Sequence, residues 1–339
     1  MIAPIRWNGR TLVLLDQTRL PNEEIYREVT GWQEVAEAIR ALVVRGAPAI
    51  GVAAAFGVAL AARDSRAESF DAFAADLETA EKGLAATRPT AINLFWALDR
   101  MKRSALAHRD LPLPRLRAHL LHEAQAILEE DVAANRLIGE HGARLVPDNA
   151  RVLTHCNAGA LATAGYGTAL GVVRAAHSQG KVALVWVDET RPVLQGSRLT
   201  AWECVKEAIP HRVLADSAAA SLMGQGQVDL VLTGADRIAA NGDTANKIGT
   251  YALAVLARHH GVPFYVVAPF SSIDLTVTSG SQIPIEERDG SEVRGFGGTR
   301  VAPDASPVWN PAFDVTPAHL ISAIITERGV FRPPYSFSR

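Results

Sequence analysis

Three observations predict an α/β fold in which a small N-terminal β-hairpin and helical domain is followed by a Rossmann-like parallel-sheet domain. The first part of the chain carries long stretches of apolar residues at helical spacing, punctuated by Arg88-Pro89 and Leu111-Pro112. From Arg151 onward, short β-branched runs alternate with helical stretches, the pattern of βαβ units and a parallel sheet. Polar residues able to do chemistry recur directly after those runs, where a doubly wound sheet presents its ligand crevice.

At the start, Ile5-Arg6-Trp7 and Thr11-Leu12-Val13-Leu14-Leu15 flank Asn8-Gly9, a pair suited to the positive φ angles of a type I′ turn. A hairpin is expected there. Helices are expected over residues 32–44, 48–62, 70–85, 91–107 and 113–142. The stretch 46–62 is uncharged and dominated by Ala and Gly; it is shorter than the roughly 20 residues a membrane span needs and reads as a buried helix. A prior of about 150 residues per domain suggests two domains in 339 residues, and the change of pattern sets them at 1–143 and 144–339. In the second, strands are expected at 151–153, 182–187, 212–214, 230–232 and 264–267. The first four lead in turn to Cys156, to Asp188-Glu189-Thr190-Arg191, to Asp216-Ser217 and to Asp236. Residues 270–312, rich in Gly, Pro, Ser and Asp, read as a long ordered loop or lid. Thr316-Pro317, an N-cap residue followed by a proline, predicts a last helix.

With 48% hydrophobic and 21% charged residues the chain reads as soluble and globular. A net charge of -2 argues against a general nucleic-acid binder, although local cations can still hold a small anion. Two cysteines do not make a disulfide framework, and the N-terminus lacks a basic segment followed by a long apolar run. A cytoplasmic protein without a membrane partner is expected.

Two segments carry the chemistry: Thr154-His155-Cys156-Asn157-Ala158-Gly159 and Thr233-Gly234-Ala235-Asp236-Arg237. A cysteine taken at random is most often an inert buried thiol. One in the loop before a helix N-terminus meets exposed N–H groups and the positive end of the dipole, which favour thiolate. His155 is adjacent but is not assigned a catalytic role. Asp236 reads equally as a helix cap and as a general acid kept protonated by an apolar pocket. Arg45-Gly46-Ala47-Pro48 ahead of a helix offers a cation and N–H donors to a phosphate, or simply forms a tight turn in which Gly51 and Gly57 allow close packing. Arg88 and Lys247 are further anion-binding candidates of low individual specificity.

Dinucleotide binding is the sharper rival, because Gly165-Tyr166-Gly167 and Gly171 precede Asp188 by about the fingerprint spacing. It is disfavoured, since Gly165 falls too far after the first strand and is expected inside a helix, where small residues serve packing. The ten histidines contain no HExxH or Cys-pair spacing, so no metal is required.

Taken together, these residues resemble the methylthioribose-1-phosphate isomerase family, within the superfamily that includes the regulatory subunits of translation initiation factor 2B. The resemblance runs from Leu14-Leu15-Asp16-Gln17 through Arg45-Gly46-Ala47-Pro48-Ala49-Ile50-Gly51, Arg88-Pro89-Thr90, His155-Cys156-Asn157-Ala158-Gly159, Asp188-Glu189-Thr190-Arg191-Pro192, Gln195-Gly196-Ser197-Arg198-Leu199-Thr200 and Gly234-Ala235-Asp236 to Asn310-Pro311-Ala312-Phe313-Asp314. It implies an aldose-ketose isomerase of methionine salvage that needs no redox cofactor and forms a homodimer. It also implies that Asp236 and Cys156 are catalytic, and that Arg45, Gly46, Ala47, Arg88, Gln195, Asn246 and Lys247 bind substrate. Two alternatives remain open at this stage. One is an isomerase of ribose 1,5-bisphosphate or 5-deoxyribose 1-phosphate; the other is a noncatalytic regulatory module.

Overall fold

The computed structural model describes residues 2–88, 91–296 and 298–337. Pro89 and Thr90, quoted above as a helix break and a motif, lie outside the described residues. The chain divides into two compact units: Met1–Arg136 with Gly159–Gly167, and Leu137–Ala158 with Thr168–Arg339.

The first unit opens with β1 (Ile5–Trp7), β2 (Leu12–Leu15) and β3 (Tyr26–Val29), paired antiparallel in that order. The expected hairpin is present, but its connection is four residues long. Asn8 uses its side chain, accepting from the N–H groups of Arg10 and Thr11, and only Gly9 takes a positive φ. That local side-chain capture replaces the two-residue type I′ turn. β3 was not expected, because three of its four residues are exposed and its run is mostly polar.

Helices α1 (Trp32–Arg40), α2 (Ala47–Asp64), α3 (Phe70–Ala85), α4 (Ile92–Ala107) and α5 (Leu113–Ala143) follow. α1 ends short of residue 44 because Leu42 turns to φ +60, after which Val43 and Val44 pack into the core. α2 is apolar on all sides, and the core closes round it: Phe56, Leu60, Phe73, Leu84, Leu94 and Met101 are buried, with Trp7 stacked on Phe56 at 5.7 Å. Among the described residues it is the one helix long and apolar enough to cross a membrane, and 83% of it is buried within the protein, as expected of a core helix.

The second unit is built on a seven-stranded sheet. Its elements are β4 (Ala150–Thr154), α6 (Ala169–Ser178), β5 (Val182–Asp188), α7 (Ala201–Lys206), β6 (His211–Leu214), α8 (Ala219–Gly224), β7 (Leu230–Thr233), β8 (Arg237–Ala239), β9 (Thr244–Lys247), α9 (Thr250–His260), β10 (Phe264–Val267), β11 (Ile273–Asp274), α10 (Ser291–Arg294), β12 (Gly295–Phe296), β13 (Thr299–Arg300), β14 (Phe313–Thr316), β15 (Ala323–Thr326) and β16 (Gly329–Phe331). The sheet order is β16-β15-β10-β7-β4-β5-β6, parallel except for β16.

Alternate residues of the same strands feed two separate apolar clusters. Val152, Leu230, Leu232, Val267 and Ile325 pack with α6 on one face; Leu153, Val231, Phe264, Val266 and Ile324 pack with α8 and α9 on the other. Burial on both faces is why these strands read as continuous apolar runs. From β4 the chain steps through β5 and β6 to one side, then returns to build β7, β10 and β15 on the other. The order therefore reverses between β4 and β7. In an open α/β sheet that reversal opens the crevice that takes ligands.

Three expectations give way. Asp236 is followed by strand β8, not a helix, and a second sheet of order β11-β8-β9-β14 forms there. Its hairpin turns at Asn241-Gly242, with Gly242 at φ +91. The final helix at Thr316-Pro317 is a single 3-10 turn, Ala318–Leu320, because the β-branched run after it joins the main sheet as β15. Gly165 and Gly167 lie in an irregular segment at φ +154 and +83, not in a helix. The described residues of 270–312 include 3-10 turns, β11, α10 and the β12–β13 pair.

Candidate active site

Cys156 stands two residues beyond β4 and Asp236 three beyond β7, at the carboxyl ends of the two strands that flank the reversal. Thr154 Oγ1 donates to the Leu232 carbonyl at 2.8 Å, which locks the two strand ends together. Where the loops separate, Gly234 faces Ala158 so closely that an added Cβ would lie 2.9 Å from the alanine Cβ.

Cys156 is half-buried and adopts φ +62, a left-handed backbone that costs a non-glycine residue about 1–2 kcal/mol. Both its peptide groups are held. Its N–H donates to Thr190 Oγ1 at 2.8 Å, and its carbonyl accepts from Thr200 Oγ1 at 2.6 Å. Asn157 is buried next to it and donates to Glu203 Oε1 and Thr200 Oγ1. Glu203 is itself fully buried against Arg174. The expected helix N-terminus behind the thiol is absent: a 3-10 turn at Ala160–Ala162 comes first, and α6 begins only at Ala169. The other cysteine, Cys204, is buried in the core, and desolvation pushes its thiol up to about 12.

His155 is buried between two acceptors, Asp188 Oδ2 at 3.0 Å from Nδ1 and the Ile248 carbonyl at 2.8 Å from Nε2. Burial opposes its charge, but the hydrogen bond and the negative charge of Asp188 outweigh it and raise the imidazole pKa. Asp188, the acidic residue of the dinucleotide-like spacing, is thus bonded to His155 through Oδ2. Among the described residues, His155, Asp188 and Asp216 bring ligand-type atoms within 4.8 Å of one another. Within this group Asp216 accepts the N–H groups of Thr190 and Arg191 at 2.8 and 2.7 Å, and Asp188 keeps a buried Oδ1 with no hydrogen-bond partner.

Asp236 is half-buried at the start of the second sheet, its N–H donating to the Ala245 carbonyl at 2.9 Å. Asn246 and Lys247 follow Ala245 on β9, so the hairpin brings them beside Asp236. Asn246 is buried and donates to Thr250 Oγ1; Lys247 Nζ donates to the Ala312 carbonyl and lies 4.6 Å from the Phe313 ring centre. Gln195 is buried directly before the π-helical turn Gly196–Thr200, and its Oε1 lacks a hydrogen-bond partner. A buried acceptor left open in this way suits a donor from a ligand. Gly196 links this loop to the cysteine loop: it packs on the Asp188 carbonyl, 1.6 Å from where a Cβ would be.

Arg45, Gly46, Ala47 and Arg88 belong to the first unit. Arg45 Nε donates to Gln17 Oε1 at 3.1 Å, and Gln17 Nε2 donates to the Leu161 carbonyl. Gly46 is the N-cap of α2 at φ +93, pressed against Ala162. Ala47 begins the helix and is buried; Arg88 is half-buried just after the turn that closes α3.

Sequence places Thr190 and Asp216 at strand ends and Thr200 in a family-like motif, but gives none of the three a role beside Cys156. The strand-end signal finds such loops but not the bonds between them.

The profile of the initiation factor 2 subunit family matches residues 43–333. The methylthioribose-1-phosphate isomerase of Syntrophotalea carbinolica is 61% identical over 98% of this chain and 97% of its own length. The crystal structure of 5-methylthioribose 1-phosphate isomerase from Pyrococcus horikoshii OT3 superposes with a TM-score of 0.93 at 50% identity, covering 99% of this chain and 94% of that one. The crystal structure of translation initiation factor eIF-2B, subunit delta, from A. fulgidus gives a TM-score of 0.87 at 45% identity, covering 99% and 97%. The chain thus belongs to the methylthioribose-1-phosphate isomerase family, within the wider initiation factor 2 subunit family.

Proposed function

We propose that this protein is an aldose-ketose isomerase that converts 5-methylthioribose 1-phosphate to 5-methylthioribulose 1-phosphate, a step of methionine salvage, in the cytoplasm and as a homodimer. The strongest support is that the loops carrying Cys156 and Asp236 leave the two strands flanking the sheet's point of reversal. The relatives named as isomerases of this substrate supply its identity.

The substrate poses a specific problem. Its C1 phosphate blocks ring opening to a free aldehyde, so the ring must be opened by proton transfer and one hydrogen moved from C2 to C1. C2 is oxidised as C1 is reduced, and no outside electron acceptor enters the balance. Asp236 handles the proton at the ring or hydroxyl oxygen. Cys156 either removes the C2 proton or stabilises charge as the hydrogen moves. Arg45, Arg88 and Lys247 supply cations, and Gly46 and Ala47 supply backbone N–H groups, for the phosphate. Gln195 and Asn246 meet hydroxyls, and the open Gln195 Oε1 is matched to an O–H donor.

The expected result is that Cys156→Ala and Asp236→Asn keep the melting temperature of the parent yet lose at least about 100-fold in kcat, the scale of a lost proton-transfer group. Near-normal turnover in either variant removes that residue from the assignment. Arg45→Ala should weaken substrate binding; an unchanged affinity would count against its role. A noncatalytic regulatory module is the second reading, kept because of the 45% identity to the eIF-2B delta structure. It predicts no isomerisation in any assay.

A further inference from the structure

Cys156 carries a side chain in a backbone conformation that favours glycine, and something must pay for it. The partners that hold it come from two other loops. Thr190 follows β5 and is a β-branched residue at φ +66, a conformation rarer still for its type. It takes the Cys156 N–H on its hydroxyl oxygen and donates the hydroxyl proton to the Asp188 carbonyl at 3.0 Å. Thr190 is anchored in turn by Asp216, which follows β6 and whose two carboxylate oxygens accept the consecutive N–H groups of Thr190 and Arg191. The chain of bonds thus crosses the carboxyl ends of three adjacent strands, from β6 to β5 to β4. On the other side, Thr200 donates to the Cys156 carbonyl from the π-helical turn, a rare geometry often found at functional sites. Thr190 and Thr200 are both fully buried, so water does not compete for these bonds.

We propose that Thr190 and Thr200 are positioning residues that fix Cys156 by its two peptide groups, with Asp216 as the anchor of Thr190. The proposal rests on the catalytic reading of Cys156. No bond from either threonine to the Cys156 sulfur enters it; both act through the main chain, setting where the thiol points. A serine in place of either threonine keeps the hydroxyl, whereas a valine keeps the shape and deletes it.

The test pairs steady-state kinetics on 5-methylthioribose 1-phosphate with the rate of Cys156 alkylation by iodoacetamide, read by mass spectrometry on the folded full-length protein. Buried Cys204 is the internal control for unfolding. Thr190→Val and Thr200→Val should each lower kcat by about 10- to 100-fold with KM moved less than about threefold, the signature of a misplaced reacting group. Thr190→Ser and Thr200→Ser should recover most of that loss. The Cys156 alkylation rate in the valine variants should depart from the parent by at least about fivefold, since access and orientation set thiol reactivity together with its charge. Should a valine variant not fold, Asp216→Asn, which leaves one of the two N–H groups facing an amide, must show the same kcat-selective loss in smaller measure. Parental kcat and parental alkylation in both folded valine variants would overturn the proposal. If Cys156→Ala itself turns over normally, the catalytic reading fails, and the alkylation rates alone still decide whether the threonines position the thiol.

Discussion

At Gly46 the backbone turns to φ +93, and a Cβ there would sit 2.5 Å from the Ala162 carbonyl oxygen and 2.6 Å from its Cα. Neither contact can relax cheaply, because both atoms are main chain. Gly46→Ala is expected to destabilise the protein by about 2–4 kcal/mol, from the positive φ and the overlap together. Equilibrium denaturation measures it, and a loss below half a unit of kcal/mol, on the order of a neutral surface change, would contradict the geometry. At the same scale, the site was legible in part. Cys156 and Asp236 could be located as strand-end residues because the apolar runs before them are unmistakable. Their partners could not, since Thr190, Thr200 and Asp216 are joined to the cysteine loop or to one another across 34, 44 and 26 residues of chain. The sequence around Cys156 also suggested a helix dipole behind the thiol; the structure supplies hydrogen bonds to its peptide groups instead.

The two strands that flank the sheet's reversal are also tied at their amino ends. Arg151 of β4 gives Asp229, just before β7, three bonds: its main-chain N–H at 2.7 Å, Nε at 3.0 Å and Nη2 at 2.8 Å. The hydrogen bonds from Arg151, with its positive charge, hold the Asp229 carboxyl below its ordinary value. A carboxylate with a depressed folded pKa adds stability that is present above its unfolded value, about 3.9, and is lost as pH falls through the lower folded value. The parent should therefore lose stability below about pH 4 in a component that Asp229→Asn lacks. Melting curves of both proteins from neutral pH to pH 3 test this, and parallel acid losses would refute it. At neutral pH, Asp229→Ala should cost about 1–3 kcal/mol, the range for hydrogen bonds to charged partners.

Elements with one simple physical driver were the ones the sequence revealed. The buried strands of the main sheet and the long helices of the first unit follow from their apolar periodicity. The β11-β8-β9-β14 sheet escaped notice because its strands are two to four residues long and mixed in polarity. Its one clear signal is Asn241-Gly242, a hairpin-type turn pair like Asn8-Gly9 but flanked by runs too short and too polar to mark strands. Thr316-Pro317 misled in the opposite direction, as a good helix start attached to a sequence that prefers a strand.

On the scale of the whole chain, both units draw on non-contiguous segments, because residues 159–167 are grouped with the first unit and the flanking segments with the second. A boundary drawn at residue 143 from a change in pattern has no means of anticipating such a return. What the whole sequence did carry was the combination of motifs, spread from Leu14 to Asp314, and that combination agrees with a family match over residues 43–333. The proposed chemistry asks for one substrate among several of the same ring and phosphate. The most direct measurement is therefore turnover by the purified full chain of 5-methylthioribose 1-phosphate, ribose 1,5-bisphosphate and 5-deoxyribose 1-phosphate, with no nicotinamide or metal added. The account predicts isomerisation with the highest kcat/KM on the methylthio sugar; a clear preference for the bisphosphate, or no isomerisation of any of the three, would contradict it.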